Sequence, residues 1–225
     1  MTAYDAKTLA TSWLAVAQAS QPDKNRPILH STILVETFPE GVRLAATDTY
    51  MLLTAWVPTE DDEYATEPAL DDAPVSAAVA MDPDGRARQF MGYLHKLTSG
   101  EDAETVSVRM NVSAHDEDGA FAGMAATWVT LDYPDHEKLM LRCCEGEYPN
   151  WRHLVDGFVE KRTTAVALNP EILGRLSKLG KLGGSSLIWH WSGHDKPAKV
   201  ELADTTVRGL VMPQLARELR EEEAA

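Results

Sequence analysis

The sequence runs to 225 residues, 44% hydrophobic and 25% charged, which is the composition of a globular chain with room for a sizeable core. Its formal net charge of −14 excludes phosphate binding through bulk charge, so any nucleic-acid role has to rest on a local basic surface. The adjacent Cys143 and Cys144 fit neither a disulfide framework nor paired metal-ligand spacing, and "MTAYDAKTLATSWLAVAQAS" has neither a basic leader nor a membrane-spanning apolar run, so a cytoplasmic protein without membrane contact is expected.

Hydrophobic periodicity divides the chain into three similar units. The first opens with an amphipathic helix over 7–20, with Leu9, Trp13, Val16 and Ala17 on one side, and continues through strands in "ILHSTILVETF", "GVRLAATD" and "YMLLTAWVP". An acidic linker, "TEDDEYATEPALDDAP", leads to the second unit: strand "VSAAVAM", a helix over 84–97, then strands in "ETVSVRMN", "ATWVTLDY" and "EKLMLRCC". The third runs from strand "TTAVALN" through a helix over 170–182 to "SSLIWHWS", "AKVELAD" and "TVRGLVMP". Asp82 and Asp84 precede the second helix, and Asn169 with Pro170 supplies an N-cap followed by proline at the first helical position. Each unit therefore reads as a short strand, a helix and three strands. The predicted class is α+β, with antiparallel sheets and the helices gathered on one face.

Charge is distributed unevenly over these units. The windows 7–20, 85–99 and 172–186 contain no Asp or Glu in a chain that holds 35 of them. They do carry Lys7, Arg86, Arg88, Lys96, Arg175, Lys178 and Lys181. On a helical wheel the second helix places Phe90, Met91, Leu94 and Leu97 on one side, and the third helix places Ile172, Leu173, Leu176 and Leu179 on one side, with the cations around the remainder. A basic helix layer on an otherwise acidic protein can hold a duplex by its phosphates without reading bases.

Three motifs carry a resemblance. "ILHSTILVETFPEGVRLAATDTYMLLTAWVP" resembles the middle domain of the bacterial DNA polymerase III beta sliding clamp, "EGEYPNWRHLV" resembles that family's linker into its last domain, and "GLVMPQL" resembles its C-terminal strand. The resemblance implies the DNA-clamp (processivity) fold, with repeated half-domains, sheets outside and helices lining a pore. It implies a domain over 1–155 built from half-domains at about 1–60 and 74–148, followed by a single half-domain with an acidic tail over 156–225. Nothing corresponds to the bacterial first domain, so the chain is similar to a truncated, bacteriophage-like clamp that would work in the host cytoplasm. Rings of the family hold twelve half-domains, which implies a homotetramer of such chains, or a trimer if a fourth unit is present.

The resemblance also implies two surfaces and their partners. Double-stranded DNA would meet Lys7, Arg86, Arg88, Lys96, Arg175, Lys178 and Lys181 of the helices together with Lys24 and Arg26 of the "DKNRP" loop. DNA polymerase and other proteins carrying clamp-binding motifs would dock in a groove. Its lining would be Leu29, Thr47, Thr49, Tyr50, Met51, Leu52, Pro149, His153, Leu154, Leu210, Val211, Met212 and Pro213. Thr49, Tyr50 and Met51 replace the family's Gly-His-Arg, and Gln214 replaces its Met, so client preference would differ. A clamp loader is a further implied partner.

Catalytic signals are weak. His190 and His194 in "HWSGH" lie in strand-like sequence, where a four-residue spacing does not form a helical zinc pair, and "GKLGG" lacks the rest of a phosphate loop. No enzymatic activity, metal or cofactor is expected. The alternative function is a non-encircling mimic that sequesters clamp-binding proteins or inhibits the host clamp.

Overall fold

The computed structural model describes residues 2–20, 31–62, 64–99, 106–115, 126–134, 138–144, 148–161, 166–183, 186–193 and 195–214. The first unit comprises β1 (Thr2–Asp5), α1 (Ala6–Val16), β2 (Thr32–Phe38), β3 (Gly41–Thr47) and β4 (Met51–Pro58). The second comprises β5 (Ser76–Met81), α2 (Arg86–Leu97), β6 (Ser107–His115), β7 (Ala126–Asp132) and β8 (Leu139–Cys144). A short helix α3 (Arg152–Asp156), which the sequence pattern did not predict, lies in the linker to α4 (Pro170–Gly183), β9 (Leu187–His190), β10 (Ala198–Leu202) and β11 (Arg208–Val211).

These strands form one antiparallel sheet in the order β1-β6-β7-β8-β5-β2-β3-β4-β11-β10-β9. The first two units exchange their leading strands: β1 joins β6 with Thr2 opposite Met110, and β5 joins β2 with Thr32 opposite Met81. The third unit meets the first through β11 and β4, with Arg208 opposite Thr54 and Val211 opposite Met51. The leading strand expected in "TTAVALN" is not found over the described residues 166–169, where Ala167 O instead accepts a hydrogen bond from Gln214 N at 2.8 Å. Each leading strand of the first pair pairs across to the other unit, whereas residues 163–165 of the third unit's expected strand lie outside the described residues.

Strand alternation sorts side chains onto two faces. Ile33, Val35, Leu44, Met51, Leu53, Val57 and Val211 enter the core beneath the helices. Leu34, Ala45, Leu52, Val79 and Leu210 point to the opposite, outer face, where they pack with Trp151. Burial on both faces explains the nearly continuous apolar runs of β2 to β4, which alternate little in hydropathy although they alternate in direction.

Helix α1 starts where the Asp5 carboxylate accepts hydrogen bonds from Thr8 N at 2.7 Å and Thr8 Oγ1 at 2.6 Å. It packs against both α2 and α4 and buries Leu9, Trp13, Leu14, Ala15 and Val16, so it is apolar on more sides than a single stripe requires. In α2 the Asp82 carboxylate accepts from Ala87 N and Arg88 N at 2.9 and 3.0 Å, while Ala87, Met91 and Leu94 face inward. In α4 Asn169 Oδ1 accepts from Glu171 N at 2.8 Å, and Ile172, Leu176 and Leu179 are buried. Leu97 and Leu173, expected on the inward stripes, are exposed.

Candidate functional site

Of the helix cations, Lys7, Arg86, Arg88, Lys96, Lys178 and Lys181 are exposed. Among the described residues Lys7, Arg86, Lys96, Lys178 and Lys181 have no carboxylate partner. Acids border this surface at the helix starts: Asp5 at α1, Asp82 and Asp84 before α2, and Glu171, which falls within the first turn of α4. Arg175 has to be removed from the surface. Only 8% exposed, it donates from Nη1 to Asp48 Oδ2 at 2.6 Å and from Nε and Nη2 to Gln18 O at 2.8 and 2.5 Å. Arg88, although exposed, donates from Nη2 to Ala17 O at 3.0 Å. Arginines from the two flanking helices thus bond the Ala17 and Gln18 carbonyls of the 3-10 turn (Ala17–Ala19) that follows α1, where the end of the helix dipole favours positive charge. Lys24 and Arg26 lie outside the described residues.

The outer face presents an apolar seam where β4 meets β11. Leu52 and Leu210 form its floor, joined by Leu34, Ala45 and Val79, and covered by Trp151 with Tyr148, Val155 and Phe158. Tyr148 Oη accepts a hydrogen bond from Thr47 N at 3.0 Å, and burial pushes the Tyr148 hydroxyl well above the ordinary tyrosine range. Beyond the floor, Met212 N donates to Tyr50 O at 2.8 Å, which sets two side chains that are 39% and 62% exposed side by side. Thr49, Pro149, His153 and Leu154 are also exposed, and Pro213 is half-buried.

Met51 and Val211 are corrections to the predicted lining. They sit opposite each other in the β4–β11 register, 1% and 0% exposed, and both point into the helix-side core, because consecutive strand residues face opposite ways. Leu29 lies outside the described residues. The sequence reading missed Trp151, Tyr148, Leu34, Ala45 and Val79; the signal available was alternation, which puts Leu34 on the same face as Glu36 rather than with Ile33 and Val35.

A chain of charges crosses the same outer face. Arg208 pairs with Glu67, and Arg43 donates to Glu67 Oε1 at 2.9 Å while lying 3.7 Å from Glu36. Glu36 in turn pairs with Arg152, which donates to Leu70 O at 2.6 Å. Arg43 is fully buried and also donates to Pro68 O at 2.5 Å, so the 67–70 strap lies across the sheet as a bonded cover. Removing one member would strand a buried charge, which is more costly than the pair is favourable.

Burial pushes the Cys143 thiol up to about 11 and raises Cys144 as well, the reverse of what an attacking thiolate needs. His190 lies 3.4 Å from Glu160 and 3.5 Å from Glu201 on the outer face, and His194 falls outside the described residues. No cluster of metal-ligating side chains occurs among the described residues, and no described helix is long and apolar enough to cross a membrane.

Helices packed on one face of an antiparallel sheet, with paired units that exchange leading strands, define the sliding-clamp fold. Solved structures similar to this chain are clamps of that kind. A Pseudomonas aeruginosa sliding clamp, DNA polymerase III subunit beta, bound to griselimycin aligns with a TM-score of 0.63 at 13% identity, covering 95% of this chain and 65% of that one. A second P. aeruginosa clamp structure gives 0.61 at 14% identity with the same coverage. The C. crescentus beta sliding clamp gives 0.58 at 14% identity, covering 96% and 65%. The chain therefore spans about two thirds of the length of these clamps, and at such identities the likeness is one of fold. No protein-family profile matches the sequence, and no curated protein sequence does.

Proposed function

We propose that this chain is a non-catalytic sliding clamp: a processivity factor whose copies encircle duplex DNA and tether a polymerase and other clients. The observation that carries the reading is the separation of two surfaces by one sheet. Exposed cations that have no carboxylate partner among the described residues lie on the helix side, and an apolar seam with exposed Tyr50, Met212 and Leu154 lies on the outside. The first surface suits a polyanion held without sequence reading. The second suits short apolar anchors, with a methionine able to adapt its shape. The units 1–60, 74–148 and 156–225 then act as three half-domains. Four copies supply the twelve of the family's rings, with three copies next, and a loader is the partner that would open such a ring.

Mass measurement in solution, paired with a primer-extension assay, tests this directly. The expected result is a tetramer or trimer that lengthens polymerase products on primed circular DNA, with the gain abolished in Leu154→Ala or Met212→Ala variants that keep their melting temperature. A monomer at micromolar concentration that suppresses the host clamp's stimulation would replace this reading with the mimic.

A further inference from the structure

The 48–51 turn, between β3 and β4, is held in a conformation its sequence resists. Thr49 has φ of +79°, a left-handed backbone that costs a β-branched residue free energy and normally calls for glycine. What keeps it there is Asp48. Its Oδ1 accepts from Tyr50 N at 3.0 Å and Met51 N at 2.8 Å, and Asp48 N donates to Met51 O at 3.2 Å. Thr47 Oγ1 accepts from Thr49 N at 3.2 Å. The other carboxylate oxygen, Oδ2, accepts from Nη1 of Arg175 in α4, whose Nε and Nη2 donate to Gln18 O just past the end of α1.

One carboxylate therefore ties a strained outer turn to the helix layer on the opposite side of the sheet. The consequence appears at Tyr50. With its amide bonded to Asp48 and its carbonyl bonded to Met212 N, its backbone is fixed at both ends, while the residue remains 62% exposed. We propose that Asp48, anchored by Arg175, is a positioning residue that presets the Tyr50–Met212 rim for client docking. This rests on the docking role assigned to that surface. Preorganisation of this kind raises affinity by removing the ordering cost from the binding step.

The experiment uses the full chain, amide hydrogen exchange at Tyr50 and Met51, and griselimycin as the binding probe. Asp48→Ala is expected to speed exchange at both amides and to weaken griselimycin binding about tenfold. Adding Thr49→Gly, which adopts the turn without an anchor, is expected to restore most of the binding. Should Asp48→Ala not fold, Asp48→Asn, which loses the charge facing Arg175, is expected to show an intermediate loss in both readouts. Unchanged exchange and unchanged binding in the folded variant would overturn the clasp. Wild-type protein that fails to bind griselimycin would instead count against the docking surface, and the exchange data would still decide the role of Asp48.

Discussion

Cys143 and Tyr4 are ordinary residues whose burial is expected to make the protein less stable in alkali. Burial, followed by the neighbouring Cys144, moves the Cys143 thiol from 9.0 to about 11, and burial moves the Tyr4 hydroxyl from 10.0 to about 12. In both cases the folded value lies above the unfolded one, so below pH 9 both states are protonated and these groups add no pH dependence. As pH rises past 9.0 the unfolded chain releases the thiol proton first, and past 10.0 the phenolic proton, while the fold retains both. Stability is thus expected to fall from about pH 9 upward and to keep falling to about pH 12. Thermal melts across this range check it: Cys143→Ala should make the decline between pH 9 and 11 shallower, while the contributions of Cys144 from pH 9.0 and of Tyr4 from pH 10.0 remain. The sequence shows two adjacent thiols but not this behaviour, because desolvation depends on what covers β8.

At the scale of elements, the seam between β4 and β11 is where the sheet joins the third unit to the first, alongside the packing of α4 on α1. Gly209 lies opposite Leu53 in this pairing, and a Cβ built on it would come 1.8 Å from Leu52 O and 2.8 Å from Leu53 Cδ2. Gly209 is therefore required by close approach rather than by backbone freedom. Gly209→Ala is expected to cost about 3 kcal/mol, the upper end of overpacking penalties, and to expose the seam; chemical denaturation measures the first, and amide hydrogen exchange across β4 and β11 the second. Much of the element order was legible beforehand, since the apolar runs of β2 to β4 and the caps at Asp82 and Asn169 are local signals. Which residues of those runs face the helices was not legible: a run such as "MLLTAWVP" is apolar at almost every position, and only the register shows that Leu52 faces outward and Met51 inward. Nor could the wheel of α4 distinguish Arg175 from Lys178. The acceptors that claim Arg175, Asp48 and Gln18 O, lie 127 and 157 residues away in sequence.

For the whole molecule, the balance between a net charge of −14 and a basic helix layer sets how DNA can be held. On the proposed function, repulsion from the acidic remainder would keep affinity weak, and attraction among the described helix residues would come from the exposed Lys7, Arg86, Arg88, Lys96, Lys178 and Lys181. Each of these that neutralises a phosphate releases condensed counterions and contributes about 0.9 to the slope of log affinity against log salt. Lys178→Ala is therefore expected to weaken duplex binding alike on all sequences and to reduce that slope by about 1. Arg175→Met, three residues earlier on the same helix, is expected to leave the slope unchanged. Its charge is already met by Asp48 and the end of α1, so its loss falls on the stability of the helix layer and not on counterions. Fluorescence anisotropy with a labelled duplex over a salt series separates the two variants. Equal slopes for Lys178→Ala and the wild type would move the DNA away from the helix face, and with it the case for encirclement.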